Sequence, residues 1–302
     1  MQLSTIVFNF AQMCAITLNL LFTNLNFQND GKRIVKINLV KAFTQDKTQG
    51  NPVGIVFNAD ELSTVQMMDI VIKSGFTECA FVQKSDVADY KLRFYSPKKE
   101  MNLCAHATIA TFHLIKKITN KKNFTLETLA GILPIICNDD GLIVMEQSIP
   151  VFYDKEHEIN FIEKILGINS IHIINEPIRV STGTPKLLVE LDSIETLWNL
   201  QPDFKAITEH FPTGIYTFFY KNKSQYYARQ FNPSTGINED PVTGVAAGAL
   251  GAYLKKYRNS NIPFIVEQGH MLGKIGKIFV DPSQGIKVGG YAVEFGEFEI
   301  EI

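Results

Sequence analysis

Cysteine is scarce in this chain. Cys14, Cys79, Cys104 and Cys137 lie far apart among 302 residues, and no two form a C-x-x-C pair. That excludes a disulfide scaffold and the usual zinc spacings, and makes a reducing, cytoplasmic setting the expectation. Excess charge of one sign is missing too. Lys and Arg number 29 against 31 Asp and Glu, a formal charge of −2. Such a balance gives no electrostatic reason to expect a nucleic acid or anionic membrane partner. No P-loop is present and no G-x-G-x-x-G opens a helix, so no nucleotide cofactor is expected. His113, His157, His172, His210 and His270 form no helical i, i+4 pair with a carboxylate ligand, so no metal is expected. A clean apolar run is also absent. Leu3 to Phe27 is interrupted by Asn9, Gln12, Asn19, Asn24 and Asn26, with no basic residue before it and no small-x-small site after it. It reads as neither an export signal nor a membrane helix. Residues 1–33 are therefore expected to be an N-terminal extension of uncertain order.

What is present is a globular composition, 45% hydrophobic and 20% charged, on a length that suits two ordinary domains. The chain also reads as written twice. Asp89-Tyr-Lys-Leu-Arg-Phe-Tyr-Ser-Pro97, a polar loop, Leu103-Cys-Ala-His-Ala-Thr108 and an apolar run to Lys116-Lys117 form one copy. Gln225-Tyr-Tyr-Ala-Arg-Gln-Phe-Asn-Pro233, a polar loop, Glu239-Asp-Pro-Val-Thr-Gly-Val245 and a small-residue run to Lys255-Lys256 form the other. Asn51-Pro52 before an apolar strand answers Thr184-Pro185, Phe76 to Val82 answers Gly214 to Tyr220, and Phe124-Thr-Leu-Glu127 answers Phe264-Ile-Val-Glu267. The expected division is a first repeat over 34–150, a connector over 151–175 and a second repeat over 176–302.

Periodicity predicts strands at 34–42, 53–57, 78–83, 90–95, 123–128, 132–137 and 142–147 in the first copy, with Asn138-Asp-Asp-Gly141 as a hairpin turn. A helix is predicted from Thr64 to Lys73, with Val65, Met68 and Ile72 at helical spacing, and another from about Ala105 to Lys117. The connector holds one amphipathic helix, Ile159 to Leu166. The second copy predicts strands at 178–182, 186–191, 214–220 and 225–231, a helix at 193–199, a helix from Val245 to Tyr257, and strands around 264–267, 274–281, 286–288 and 292–300. The two long central helices have almost no polar face, and such helices are buried. Sheet wrapped around a buried helix, made twice, is the inferred architecture.

The residues that could carry chemistry sit where loops run into those helices. Pro241 turns the chain at Asp240 and Gly244 allows close backbone approach, so Asp240 or Thr243 is either a helix cap or a functional group. Cys104, at a helix start, is expected to have a lowered pKa and so to be nucleophilic or basic. His106, in the first helical turn, is expected to stay neutral because the dipole disfavours its cation. Glu78 begins an otherwise apolar strand, which makes it paired, exposed at a mouth, or an acid/base of raised pKa.

Together these segments resemble the PhzF-like (phenazine-biosynthesis) isomerase family, a branch of the diaminopimelate epimerase-like fold. The likeness runs over about 34–302. It rests on Ala42-Phe-Thr44 with Gly50-Asn-Pro52, Thr77-Glu-Cys-Ala-Phe81, Arg93-Phe-Tyr-Ser-Pro97, Cys104-Ala-His-Ala-Thr108, Arg229 through Pro233, Glu239-Asp-Pro-Val-Thr-Gly244 and Glu267-Gln-Gly269, all in order. The resemblance implies an α+β fold of two pseudo-repeated halves, each a β-barrel-like sheet around a central helix, with the site between them. It implies an isomerase that needs no cofactor and moves protons at carbon. Glu78 would be the principal acid/base, completed by His106 and Asp240. Asn51, Cys104, Ala105, Thr243, Gly244 and Val245 would bind a small-molecule carboxylate substrate, and a homodimer is plausible by analogy. The chain departs from the family at Ala105, where glycine is common, and at Val245, where serine is frequent. Relatives with two catalytic cysteines have one in each half; here Thr243 stands near the second place, which disfavours a two-cysteine racemase. A one-cysteine epimerase using Cys104, or a non-catalytic metabolite-binding protein of this fold, are the alternatives.

Overall fold

Alternating apolar residues make the strands, and two helices without a polar face give the strands something to close around. The computed structural model describes residues 25–27, 33–154 and 158–302. Most of the expected extension, and His157, lie outside the described residues. Among the described residues nineteen strands join in one continuous sheet. In the first half they are β1 Leu25–Phe27, β2 Arg33–Ala42, β3 Asn51–Val56, β4 Cys79–Gln83, β5 Tyr90–Tyr95, β6 Glu100–Met101, β7 Asn123–Thr128, β8 Gly131–Cys137 and β9 Ile143–Glu146. They continue as β10 Val151–Phe152, β11 Ile178–Ser181, β12 Lys186–Leu191, β13 Ile215–Asn222, β14 Gln225–Phe231, β15 Glu239–Asp240, β16 Phe264–Gln268, β17 Gly276–Asp281, β18 Lys287–Gly290 and β19 Ala292–Glu301. The helices are α1 Thr64–Ser74, α2 Ala105–Ile118, α3 Ile159–Leu166, α4 Ile194–Asn199, α5 Phe204–His210 and α6 Gly244–Tyr257. No helix among the described residues is long and apolar enough to cross a membrane.

The same pairing order occurs twice. β3 and β4 are parallel across α1, as β12 and β13 are across α4 and α5. β5 and β7 are parallel across α2, as β14 and β16 are across α6. The short strands β6 and β15 each pair back on the strand before and deliver the chain to the start of a central helix. α2 and α6 share one core with the inner faces of both halves of the sheet. The fold is therefore α+β, in two pseudo-repeated halves of the diaminopimelate epimerase type.

Outer helices cover the other sheet faces. Ser63 and Gln66 form a reciprocal capping box at the start of α1, and Gly75 ends it at φ 71°. Of the three residues noted at helical spacing in α1, Met68 packs against the sheet and the other two do not. Val65 is 76% and Ile72 59% exposed, while Met67, Ile70 and Val71 pack on Val35, Ile37, Val56 and Phe81. Both sets fit a helical period, and contact with the sheet chooses between them. In the second half α3, α4 and α5 pack through Ile162, Leu197, Ile207 and Phe211 on Leu187, Val189 and Ile215. α5 was not expected from the sequence; Asp203 caps it by accepting from the Ala206 amide.

Candidate active site

Two loops bring the two halves together. Arg93 of β5 grips Glu100 of β6 with Nε–Oε1 and Nη2–Oε2 contacts of 2.7 and 2.8 Å. Arg229 of β14 grips Glu239 of β15 in the same way at 2.9 and 2.8 Å. Planar two-point pairs of this kind fix orientation as well as distance. Each clamp sets the loop that enters a central helix, α2 through Cys104 and α6 through Thr243. Neither helix has a side-chain cap, and the first N–H groups of a helix have no partner within it. Both sets of donors therefore open on the space between the halves.

The two helix starts nearly touch. A Cβ on Gly244 would lie 2.6 Å from the Ala105 Cβ and 2.8 Å from the Phe43 ring. Around this junction is a cavity of about 310 Å³, walled by Glu78, Cys104, Ala105 and His106 from one half and by Asp240, Thr243, Gly244 and Val245 from the other. Asn51 is absent from the wall. It is buried behind Asp240, donating to Asp240 Oδ1 at 2.8 Å and to the Val242 carbonyl at 2.9 Å.

On the first wall, Glu78 immediately precedes β4, its side chain 16% exposed. Its Oε2 accepts from the Cys104 thiol at 3.0 Å and lies 3.2 Å from His106 Nε2. Burial raises the Glu78 carboxyl to about 7, with the charge of Asp240 adding to the rise and the Cys104 bond and Lys186 opposing it. Burial alone pushes His106 down to about 3, so its imidazole is neutral at ordinary pH and can donate one N–H. Cys104 departs from expectation: burial first, then the neighbouring Glu78 carboxylate, raises its thiol well above the usual value. The helix dipole favours a thiolate by too little to offset the loss of water and an adjacent anion.

On the second wall, Thr243 Oγ1 donates to Asp240 Oδ2 at 2.5 Å, which is why this N-cap threonine does not cap α6. Gln268, fully buried, donates to the Asp240 carbonyl at 2.8 Å and to Thr243 Oγ1 at 3.1 Å, and accepts from the Thr243 amide at 3.2 Å. Asp240 is raised to about 6 by burial, against hydrogen bonds from Thr243 and Asn51 and the charge of Lys186. Two carboxyls of raised pKa thus face one cavity, one on each wall.

Two basic residues of the wall went unnoticed in the sequence: Lys99, and Lys186 at the start of β12. Lysine at a strand end reads as a solvated terminus, and only the repeat held a signal, since Lys186 falls where the first copy has the apolar Val53. The donor atoms of Glu78, Cys104 and His106 lie within 4.8 Å of one another and are the group able to hold a metal ion among the described residues. Their mutual hydrogen bonds account for that proximity without one.

A family profile described as phenazine biosynthesis-like protein (PhzC-PhzF) matches residues 40–297. An uncharacterized isomerase of Bacillus subtilis, YfhB, is 34% identical over 81% of this chain and 89% of its own length. The trans-2,3-dihydro-3-hydroxyanthranilate isomerase of Pseudomonas aeruginosa is 28% identical over 86% of this chain and 96% of its own. Among solved structures, a Bacillus anthracis phenazine biosynthesis protein of the PhzF family superposes with a TM-score of 0.79 at 31% identity, covering 89% of this chain and 99% of that one. By profile, by sequence and by fold, the chain belongs to the PhzC/PhzF family of isomerases.

Proposed function

We propose that this isomerase works without a cofactor, by acid/base transfer of a proton between carbon atoms of a small carboxylate-bearing metabolite. The observation that carries the reading is Glu78: a carboxyl at about 7, walled into the cavity and bonded by a neutral thiol and beside a neutral imidazole. A base whose pKa lies near the working pH is half available as acceptor and half as donor, the best compromise for moving a proton both ways. Glu78 takes the proton from one carbon, and the electron pair of that C–H bond shifts toward the substrate carboxylate. The N–H groups of Ala105, Gly244 and Val245 at the two helix starts receive the charge that accumulates there. The same proton returns to another carbon, which leaves Glu78 ionised and the substrate isomerised. His106 donates a hydrogen bond, and Asp240, fixed by Asn51 and Thr243, orients the substrate from the opposite wall.

The substrate class draws support from the Pseudomonas relative, whose named substrate carries a carboxylate. A base role for Cys104 is disfavoured by its raised pKa. The test is a library of small carboxylates incubated in heavy water with the protein and read by mass. One or more members gains a deuteron in the presence of the wild type and none does with Glu78→Gln. Retention of exchange in that variant rules out Glu78 as the base.

A further inference from the structure

Lys186 is buried, 3% exposed, directly on the cavity wall. Its place in the fold does not ask for a charge. Thr184-Pro185-Lys186 at the start of β12 repeats Asn51-Pro52-Val53 at the start of β3, and Val53 is a fully buried core residue. An ammonium has three N–H donors. One goes to the Thr213 carbonyl. Glu78 and Asp240 act on Lys186 by charge, yet no carboxylate among the described residues makes an ion pair with it. The remaining acidic residue of the wall, Glu100, is held by Arg93. Lys99 adds a second amine to the same wall, likewise without an ion pair among the described residues. A buried cation with unused donors is costly unless something completes its shell, and here the open side is the cavity.

We propose that Lys186 is a second anion anchor, so that the substrate carries two acidic groups: one held at the helix starts and one held by Lys186. This rests on the isomerase reading above and narrows it to dianionic metabolites. A charge-assisted bond to a fixed ammonium discriminates strongly because an analogue lacking the second acid leaves the ammonium buried and unmet. Burial lowers the Lys186 amine to about 8, which keeps it mostly protonated at neutral pH. Lys99 adds positive potential to the same wall and favours entry of a dianion.

The test compares same-length acids: succinate, glutarate and adipate against butyrate, valerate and caproate, titrated calorimetrically at about pH 7 into wild type and Lys186→Met. The expected result is that at least one diacid binds wild type roughly tenfold or more tightly than its monoacid. In Lys186→Met that ratio falls to about one and circular dichroism matches wild type. Should the variant misfold, the wild type alone decides: the ratio collapses as pH rises from about 7 to well above 8. Glu78 and Asp240 finish ionising in the lower part of that range and repel a dianion more than a monoanion. The decisive fall is therefore the one above about pH 8, where both carboxyls are already ionised and Lys186 loses its proton. Equal binding of diacid and monoacid by wild type overturns the anchor while leaving the isomerase reading intact. A diacid advantage that survives both the substitution and alkaline pH overturns it equally. Failure of every acid to bind sinks the carboxylate cradle of the isomerase reading, and the anchor with it.

Discussion

Burial acts on Glu78 and Cys104 in the same direction with opposite chemical consequences. It brings a carboxyl up to about 7, where it can trade protons, and drives a thiol away from the range in which it could. Because the folded Glu78 pKa is raised above its ordinary 4.5, its contribution to stability is fully present below about 4.5 and is lost as pH rises through 7. Glu78→Gln cannot ionise. It is expected to match wild type near pH 4.5 and to exceed it by roughly 2–3 kcal/mol near pH 8.5, read from urea midpoints at both values. A stability difference that does not grow with pH contradicts the buried carboxyl. For Cys104 the expectation is slow alkylation: iodoacetamide at about pH 8 modifies it at a small fraction of the rate of a free thiol, followed by peptide mass spectrometry. Cys104→Ser should keep proton exchange within about tenfold, since a hydroxyl can make the bond to Glu78 that the thiol makes. Loss of all exchange in that variant would restore the one-cysteine epimerase. The positions of Glu78, Cys104, His106 and Asp240 were legible because each interrupts a pattern, a charge in an apolar strand or a polar group at a helix start. Their ionisation was legible only in part. Neutral His106 was expected from the helix dipole but is produced by burial, and the Cys104 thiol depends on burial and on a carboxylate 26 residues away that only folding brings to 3.0 Å.

At the level of elements, the site depends on two helix starts meeting closely enough for their free amides to face one ligand. Ala105 and Gly244 share that contact, and one of the pair must lack a side chain. The sequence offered the glycine as a place of close approach, without naming the partner. Gly244→Ala is expected to cost about 1–3 kcal/mol, the usual penalty for overpacking a buried contact. Ala105→Gly in the same chain should recover part of it, because the Ala105 methyl is one of the two groups struck while the Phe43 ring remains. A double-mutant cycle by guanidinium unfolding measures the coupling. Strictly additive costs would mean that the two helix starts do not touch. The arginine clamps were legible as a repeated Arg within β5 and β14, though nothing in the pattern assigned Glu100 or Glu239 as partners. In α1 Val65, Met68 and Ile72 satisfy helical spacing as well as Met67, Ile70 and Val71 do, yet Val65 and Ile72 are exposed while Met68 packs beside the second set. Period fixes that a helix forms, and only the sheet beneath it fixes its rotation.

Across the whole molecule the two halves are interlocked as well as adjacent. β18 pairs with β9 of the first half, and β19, the last strand of the chain, lies antiparallel to β2 from Ala292↔Ala42 to Glu301↔Ile34. Alternation in 292–300 announced a strand but carried no information about its partner, which lies some 250 residues earlier. β2 lends one face to each core by simple alternation, Val35 and Ile37 to the layer under α1 and Val40 and Ala42 to α2. β19 instead changes face at the register shift between Glu294 and Gly296, so that Ala292 joins the α2 core while Phe298 and Ile300 join the layer under α1. A bulge is the usual device for such a change of face. Removing residues 292–302 would therefore open a long apolar edge on the first half, the kind of unpaired strand that invites association. It would also strip Phe298 and Ile300 from the core beneath α1. The truncated chain is expected to unfold at lower denaturant and to aggregate on mild heating, measured by guanidinium titration and light scattering. Loss should not be confined to the first half. β9 of that half carries the edge of β18, and α2 and α6 share one core, so destabilisation passes to the second half through the same contacts that build the cavity. Wild type should accordingly unfold in a single transition by both tryptophan emission, which reports Trp198 in the second half, and far-ultraviolet dichroism, which reports all strands. Two separated transitions, or a truncated chain whose Trp198 signal melts as in wild type, would show the halves to be independent and the cavity a junction of separately stable parts.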